Sequence, residues 1–286
     1  MADPRLRARL ESREFFVAPG IQDAIAAAVA EKVGFDFVYG SGYWTTASAY
    51  GLPDAGIVSY TQMLDRMAIL AKCSSAAVIA DADTGFGGLL NVHHTVRGYE
   101  DAGIAAIQIE DQEFPKKCGH TPFKRLVPME DMVEKIKVAV AARRDDNFLI
   151  IARTDARQSE GLEGSIARAR AYGEAGADIL FCEALTTQDE MRQACDSLSL
   201  PMMANMANGG LTPILSAKQL ADFGYAFAIY PALTSLVAAA AMEQALRQLK
   251  ETGDGEPSNI PIFDFKEFCG MIGFQEVWDF EQKWGR

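Results

Sequence analysis

A chain of 286 residues, 49% apolar and 23% charged, is long enough for one large barrel and too rich in core-forming residues to stay disordered. Its 27 basic against 39 acidic residues argue against nucleic acid or an anionic membrane as a partner, while a small anion at a locally cationic site stays allowed. No window approaches a membrane-spanning length, and the N-terminus lacks a signal-type apolar run. The five scattered cysteines contain no CxxC, which suits a reducing cytoplasm.

After a charged N-terminal stretch, short β-type runs alternate with helical periods. Strands are predicted over residues 15–20, 35–42, 76–83, 105–111, 148–155, 178–184, 201–206 and 226–231, several of them continuously apolar as in buried parallel sheets. Helices are predicted over 21–34, 60–73, 91–103, 129–144, 164–176, 188–198 and 217–224, most with apolar residues at three-to-four spacing. Eight such units predict an α/β fold, a (β/α)8 TIM-type barrel. The alternative, an open doubly wound sheet, lacks a GxGxxG after the first strand. An alanine-rich helix follows the eighth strand, then a loop and an aromatic tail with Trp278 and Trp284. Residues 1–250 form the expected barrel. Residues 251–286 form a helical extension of the same domain that packs on the barrel or on a neighbouring subunit.

Polar residues gather at the C-terminal ends of the strands, where barrel enzymes keep their active sites. Tyr39, Ser41, Gly42 and Tyr43 close strand two, Asp81 and Asp83 strand three, Glu110 strand four, Arg153 strand five, Glu183 strand six and Asn205 strand seven. Asp81, Asp83, Glu110 and Glu183 offer only oxygen donors, the set a hard cation such as Mg2+ or Mn2+ takes, with several waters retained. Strand alternation is expected to point Asp81 and Asp83 the same way. Arg153 offers a planar fork to a carboxylate, or alternatively pairs with Asp155 or Glu183. Backbone amides around Ser41-Gly42-Tyr43 suit carboxylate oxygens. Tyr39 either turns its hydroxyl into the site or sits in the core with that hydroxyl satisfied.

The stretch PKKCGH, residues 115–120, puts Cys118 beside Lys116, Lys117 and His120. The flanking cations are expected to lower the thiol pKa, with His120 orienting the thiol or exchanging a proton with it. Proton transfer to a carbanion near a metal-bound 2-oxo acid suits this setting better than nucleophilic attack. The glycines of TGFGG and KKCGH predict loops that close over the barrel mouth.

The KKCGH stretch, together with DADTGFGG, IEDQ, ARTDA and CEA, the last four in that order at strand ends, resembles the motifs of the isocitrate lyase/phosphoenolpyruvate mutase superfamily across nearly the whole barrel. The resemblance implies a Mg2+-dependent lyase that cleaves a 2-hydroxy acid and releases a 2-oxo acid such as pyruvate. It implies Asp83 as the main metal ligand, with Asp81, Glu110 and Glu183 holding metal-bound waters. Ser41, Gly42, Tyr43 and Arg153 would bind the 2-oxo acid carboxylate, and Gly119, His120 and Asn205 would complete the pocket beside Lys117. Cys118 would protonate the departing enolate, and Tyr39 or a neighbouring group would take the hydroxyl proton. A homotetramer with exchanged C-terminal helices is also implied. The 2-methylisocitrate branch carries TEFG after strand seven and an arginine soon after strand eight; here the chain reads MANGGLTP and then ALTSLVAAAA, without a basic residue. That pattern resembles the 2,3-dimethylmalate lyase and petal death protein branch, which handles dicarboxylates, although Asn208 stands where that branch is expected to have glutamate. The order of expectation is a 2-alkylmalate lyase, an oxaloacetate hydrolase, a methylisocitrate lyase, and last a P–C bond enzyme or a non-catalytic binding protein.

Overall fold

The computed structural model describes residues 2–257 and 259–285. Met1, Ser258 and Arg286, which fall within the predicted 1–250 and 251–286 segments, lie outside the described residues. In chain order the first half runs α1 (Arg5–Ser12), β1 (Phe16–Ile21), α2 (Ala24–Val33), β2 (Phe37–Gly40), α3 (Gly42–Tyr50), α4 (Tyr60–Cys73), β3 (Ala77–Asp81), α5 (Leu89–Asp101), β4 (Ala106–Glu110) and α6 (Met129–Ala142). The second half runs β5 (Leu149–Thr154), α7 (Arg157–Glu174), β6 (Ile179–Cys182), α8 (Gln188–Ser197), β7 (Met203–Asn205), α9 (Ala217–Phe223), β8 (Phe227–Tyr230), α10 (Leu233–Thr252), α11 (Phe265–Met271) and α12 (Phe274–Trp284). The strands are all parallel, in the order β6-β5-β4-β3-β2-β1-β8-β7, and a bridge between Leu180 and Met202 brings β6 to β7. This is the expected (β/α)8 barrel.

Strand pleating sorts the side chains into two cores. Alternate residues such as Phe16, Phe37, Ile79, Leu149, Ile151, Phe181 and Phe227 fill the barrel interior. Their neighbours, among them Val38, Val78, Ile107 and Ile150, pack under the helices. Followed upward, the inward positions turn from apolar to polar: Ile79 is succeeded by Asp81, Ile151 by Arg153 and Met203 by Asn205. The floor of the site is therefore the top layer of the barrel filling.

Two helices depart from the sequence reading. In α1 the apolar residues are few, but Leu6 is fully buried and plugs the lower end of the barrel with Phe16 and Phe37. In α3, a run of aromatic and β-branched residues forms a helix because Ser41 caps it, accepting from the Trp44 amide at 3.5 Å. Helix α7 also starts earlier than predicted, with a non-helical break at Gly161.

The tail touches the barrel through a Lys32–Glu267 ion pair at 2.5 Å and the buried Cys269. Most of its aromatic surface stays exposed: Phe265 is 77% exposed, and Phe280 and Trp284 are each 64% exposed. No residue of α10 or α12 is buried. Among the described residues, no helix is long and apolar enough to cross a membrane.

Candidate active site

A cavity of about 240 Å³ opens at the C-terminal mouth of the barrel. Tyr39, Ser41, Tyr43, Asp81, Lys117, Cys118, Gly119, His120, Arg153, Glu183 and Asn205 all line it. Of the predicted site residues, Gly42, Asp83 and Glu110 do not reach its surface; they lie directly behind it. A Cβ on Gly42 would meet Asp81 Oδ2 at 2.8 Å, so the missing side chain lets the start of α3 rest on that carboxylate.

Asp81 and Asp83 are not related by strand alternation as the sequence suggests. β3 ends at Asp81, and Asp83 has a φ of 48°, in a turn whose amide donates to Asp81 Oδ1 at 3.0 Å. The turn, not the pleat, brings the two together. Asp83 faces the buried amine of Lys116 at 2.8 Å, and Lys116 also meets Asp54 at 2.5 Å. Burial lifts the Asp83 carboxyl to about 6 against the pull of Lys116, with Asp81 adding to the rise. Burial opposes the charge on Lys116 too, but Asp83 and Asp54 outweigh it and hold the amine protonated.

Glu110 and Arg153 are register neighbours on β4 and β5 and pair at 3.1 Å. Burial pushes Glu110 well above the carboxylate range, against Arg153. The guanidinium also donates to Asp155 Oδ1 at 3.0 Å and lies 3.6 Å from Glu183 Oε2. Asp155 is held at about 2: burial would raise it, but Arg153 and Lys124 prevail. Beneath Asp155, Asp111 accepts from Thr154 and Tyr172 at 2.7 Å and from the Asp155 amide at 2.9 Å, fixing the end of β5.

Tyr39 is buried and donates to Gln108 Oε1 at 3.1 Å. Burial, then the nearby Asp81, raises its phenol well above the usual range. The hydroxyl is thus a donor and is poorly suited to take a substrate proton.

The expectation for Cys118 is corrected. Lys116 is buried and neutralised by two carboxylates, and Lys117 points outward, its Nζ 3.5 Å from the Phe123 carbonyl. Burial therefore dominates and raises the thiol pKa, against the backbone N–H of His120, which points to the sulfur. The thiol keeps its proton at neutral pH. The His120 ring turns elsewhere: Nδ1 accepts from the Leu211 amide at 3.2 Å, and Nε2 lies 3.6 Å from Glu183 Oε1 and 3.3 Å from Asn205 Nδ2. Asn205 in turn donates to Glu183 Oε2 at 2.9 Å.

Asp54 and Lys124 are the site residues that sequence reasoning passes over, and Lys116 is expected there to act on the Cys118 thiol rather than to be buried against Asp54 and Asp83. Asp54 sits in a loop between α3 and α4 with no motif, and Lys124 lies beyond the PKKCGH stretch. The donor set fits a divalent cation. Asp54, Asp81, Asp83, Glu110, Asp155 and Glu183 surround only three buried cations, Lys116, Lys124 and Arg153. Both Glu110 oxygens and Asn205 Oδ1 are buried without a hydrogen-bond partner among the described residues. Among those residues, no three His, Cys, Asp or Glu side chains converge into a direct chelating group, and Mg2+ commonly keeps several of its waters.

The sequence matches the family model for phosphoenolpyruvate phosphomutase over residues 6–250. The chain belongs to the phosphoenolpyruvate mutase/isocitrate lyase superfamily. It is an enzyme of that superfamily, on the side of the carbon–carbon lyases. Over 280 residues it is 41% identical to the 2,3-dimethylmalate lyase of Eubacterium barkeri, covering 98% of this chain and 97% of that one. It is 43% identical over 271 residues to the 2-methylisocitrate lyase of Aeropyrum pernix, covering 95% and 87%. An oxaloacetate acetylhydrolase bound to 3,3-difluorooxalacetate superposes with a TM-score of 0.92 at 33% identity, covering 98% and 96%. A phosphonopyruvate hydrolase complex with oxalate and Mg2+ superposes with a TM-score of 0.89 at 31% identity, covering both chains fully.

Proposed function

We propose that this superfamily member is a Mg2+-dependent lyase that cleaves a 2-alkylmalate, such as 2,3-dimethylmalate, to pyruvate and a short monocarboxylate. The observation that carries this reading is the make-up of the cavity wall. The cationic lining residues are Lys116, Lys117 and Arg153, and the first and last are already faced by carboxylates. The apolar part of the lining is Trp44, Phe181, Ile229 and Pro231, with the Phe181 ring lying against the Arg153 guanidinium. These apolar residues suit alkyl substituents, and with Lys117 turned outward to the Phe123 carbonyl the lining, among the described residues, presents no unpaired lysine or arginine to a third carboxylate.

Mg2+, or Mn2+ in its place, would be held by Asp83, Asp81, Glu110 and Glu183, chiefly through water, and would supply Lewis-acid stabilisation of the 2-oxygen. Ser41, Gly42, Tyr43 and Arg153 hold the carboxylate next to that oxygen. Asn205, Asn208, Gly119 and His120 form a polar edge for the second carboxylate. The 2-hydroxyl proton passes to a neighbouring carboxylate, while the Tyr39 hydroxyl, which donates to Gln108 Oε1, takes no part in that transfer. The C2–C3 bond breaks, C2 becomes the carbonyl of pyruvate, and the electron pair stays on C3 as an enolate. Cys118 delivers its proton to C3, and its raised pKa keeps that proton available at neutral pH.

Oxaloacetate hydrolysis is the second reading, favoured by the close superposition on the acetylhydrolase. Residues 1–250 are read as the catalytic barrel and 251–286 as an extension for assembly into a cytoplasmic homotetramer, supported by the exposed aliphatic residues of α10 and the exposed aromatic residues of α12. Product analysis by NMR tests the reaction. Pyruvate and propionate should appear from 2,3-dimethylmalate with Mg2+ and not with EDTA; no cleavage in either condition would refute the proposal.

A further inference from the structure

Behind Arg153 lies a set of contacts that the chemistry above does not use. Asp155 Oδ1 accepts from Arg153 Nη2 at 3.0 Å and from Lys124 Nζ at 2.9 Å. Oδ2 accepts from Gln112 Nε2 at 3.2 Å and lies 3.0 Å from Arg153 Nε. One fully buried carboxylate thus serves two buried cations, and the Lys124 side chain is only 3% exposed.

The far side of these contacts is the segment that carries Cys118. Lys124 Nζ donates to the Gly119 carbonyl as well as to Asp155. Gln112 clasps the backbone of Lys117, donating to its carbonyl at 2.8 Å and accepting from its amide at 3.0 Å. Residues 117–124 are therefore tied at both ends to the carboxylate at the end of β5. Lys124 turns inward between Phe123, which is 86% exposed, and Arg125, whose side chain is 76% exposed. A lysine leaves water in this way only where its charge and its hydrogen bonds are met. The fit under the segment is close, because a Cβ on Gly119 would meet Arg153 Nη2 and Glu183 Cγ.

We propose that Lys124 is a positioning residue with two linked effects. Its bonds to Asp155 and to the Gly119 carbonyl hold the segment on the barrel mouth, so that Cys118 faces the cavity. By drawing on Asp155, it also leaves Arg153 less completely neutralised and better able to receive a substrate carboxylate. Without Lys124, the carboxylate belongs to Arg153 alone, and only Gln112 ties the segment down. The inference rests on Cys118 and Arg153 acting as proposed above.

The test needs no turnover. Full-length protein is treated with iodoacetamide, and Cys118 labelling is followed by peptide mass spectrometry with the exposed Cys73 as internal reference. Lys124→Met is expected to speed Cys118 labelling about tenfold relative to Cys73, because the segment opens locally. Lys124→Arg, which keeps a cation and several donors, should label at nearly the wild-type rate. In kinetics, Lys124→Met should lower kcat and raise KM together, and the arginine variant should recover most of both. An unchanged Cys118 rate in Lys124→Met, or an equal rise at both cysteines, overturns the proposal. If that variant does not fold, Lys124→Gln is judged by the same ratio. Faster Cys118 labelling with an inactive wild type would keep the positioning role and sink the reaction. Alkylmalate cleavage with no change in labelling would do the reverse.

Discussion

The amine of Lys116 lies 2.8 Å from Asp83 Oδ1 at the barrel mouth, with both side chains under a tenth exposed, and Asp54 meets the same amine at 2.5 Å. A buried charge pair of this kind is expensive to break from one side, because the partner left behind stays charged and dry. Lys116→Met leaves two such carboxylates. It should destabilise the fold by about 3–5 kcal/mol. Urea denaturation checks this, and a midpoint equal to wild type would show that the pair adds nothing.

Cys118→Ser replaces the proposed acid with a hydroxyl that gives up its proton far less readily. Loss of a general acid of this type costs roughly 10²–10⁴-fold in kcat. Binding of pyruvate with Mg2+ should survive, since the serine is nearly isosteric. Calorimetry and steady-state kinetics separate the two effects. Wild-type turnover in the serine variant would remove Cys118 from the chemistry.

The pH dependence follows from burial. The Cys118 thiol is raised above its ordinary range, first by desolvation, so its proton is present through neutrality and lost only at higher pH. Turnover that needs the thiol should hold through neutral pH and fall as the thiol ionises. Alkylation of Cys118 should rise over the same interval, with a midpoint above the value of about 8.5 typical of a free cysteine. A midpoint below that value would instead mean that the neighbouring lysines dominate.

Gly119 sits where a Cβ would clash with Arg153 Nη2 and lie 2.7 Å from Glu183 Cγ. Gly119→Ala must push the Cys118 segment off the guanidinium or move the guanidinium itself. Displacement by about an ångström of a group that orients substrate can cost roughly 10²-fold, and that loss is expected in kcat/KM. Unchanged kcat/KM would show that the segment does not rest on Arg153 during turnover.

The strands were legible because each is a compact apolar run with a polar end. Asp81, Glu110, Arg153, Glu183 and Asn205 could be placed at the barrel mouth from their position after those runs alone. Other features depend on contacts that no local pattern encodes. Helix α1 has only Leu6 and Leu10 as large apolar residues, and its place is decided by the open lower end of the barrel. Asp54 meets Lys116 across some sixty residues of chain. The Cys118 reading shows the limit most plainly. Adjacent lysines in sequence suggested an acidified thiol, but the fold buries one lysine against two carboxylates and turns the other outward, so desolvation prevails.

The most direct test of the central claim compares kcat/KM for 2,3-dimethylmalate, 2-methylisocitrate and oxaloacetate, each with Mg2+ and with EDTA. The account predicts Mg2+-dependent pyruvate from dimethylmalate with the highest kcat/KM, because the apolar lining of Trp44, Phe181, Ile229 and Pro231 accepts alkyl groups, while Lys116 and Arg153 are already faced by carboxylates and Lys117 turns outward. Equal or faster cleavage of methylisocitrate would contradict that reading of the wall, and oxalate release from oxaloacetate as the preferred reaction would contradict the alkylmalate assignment.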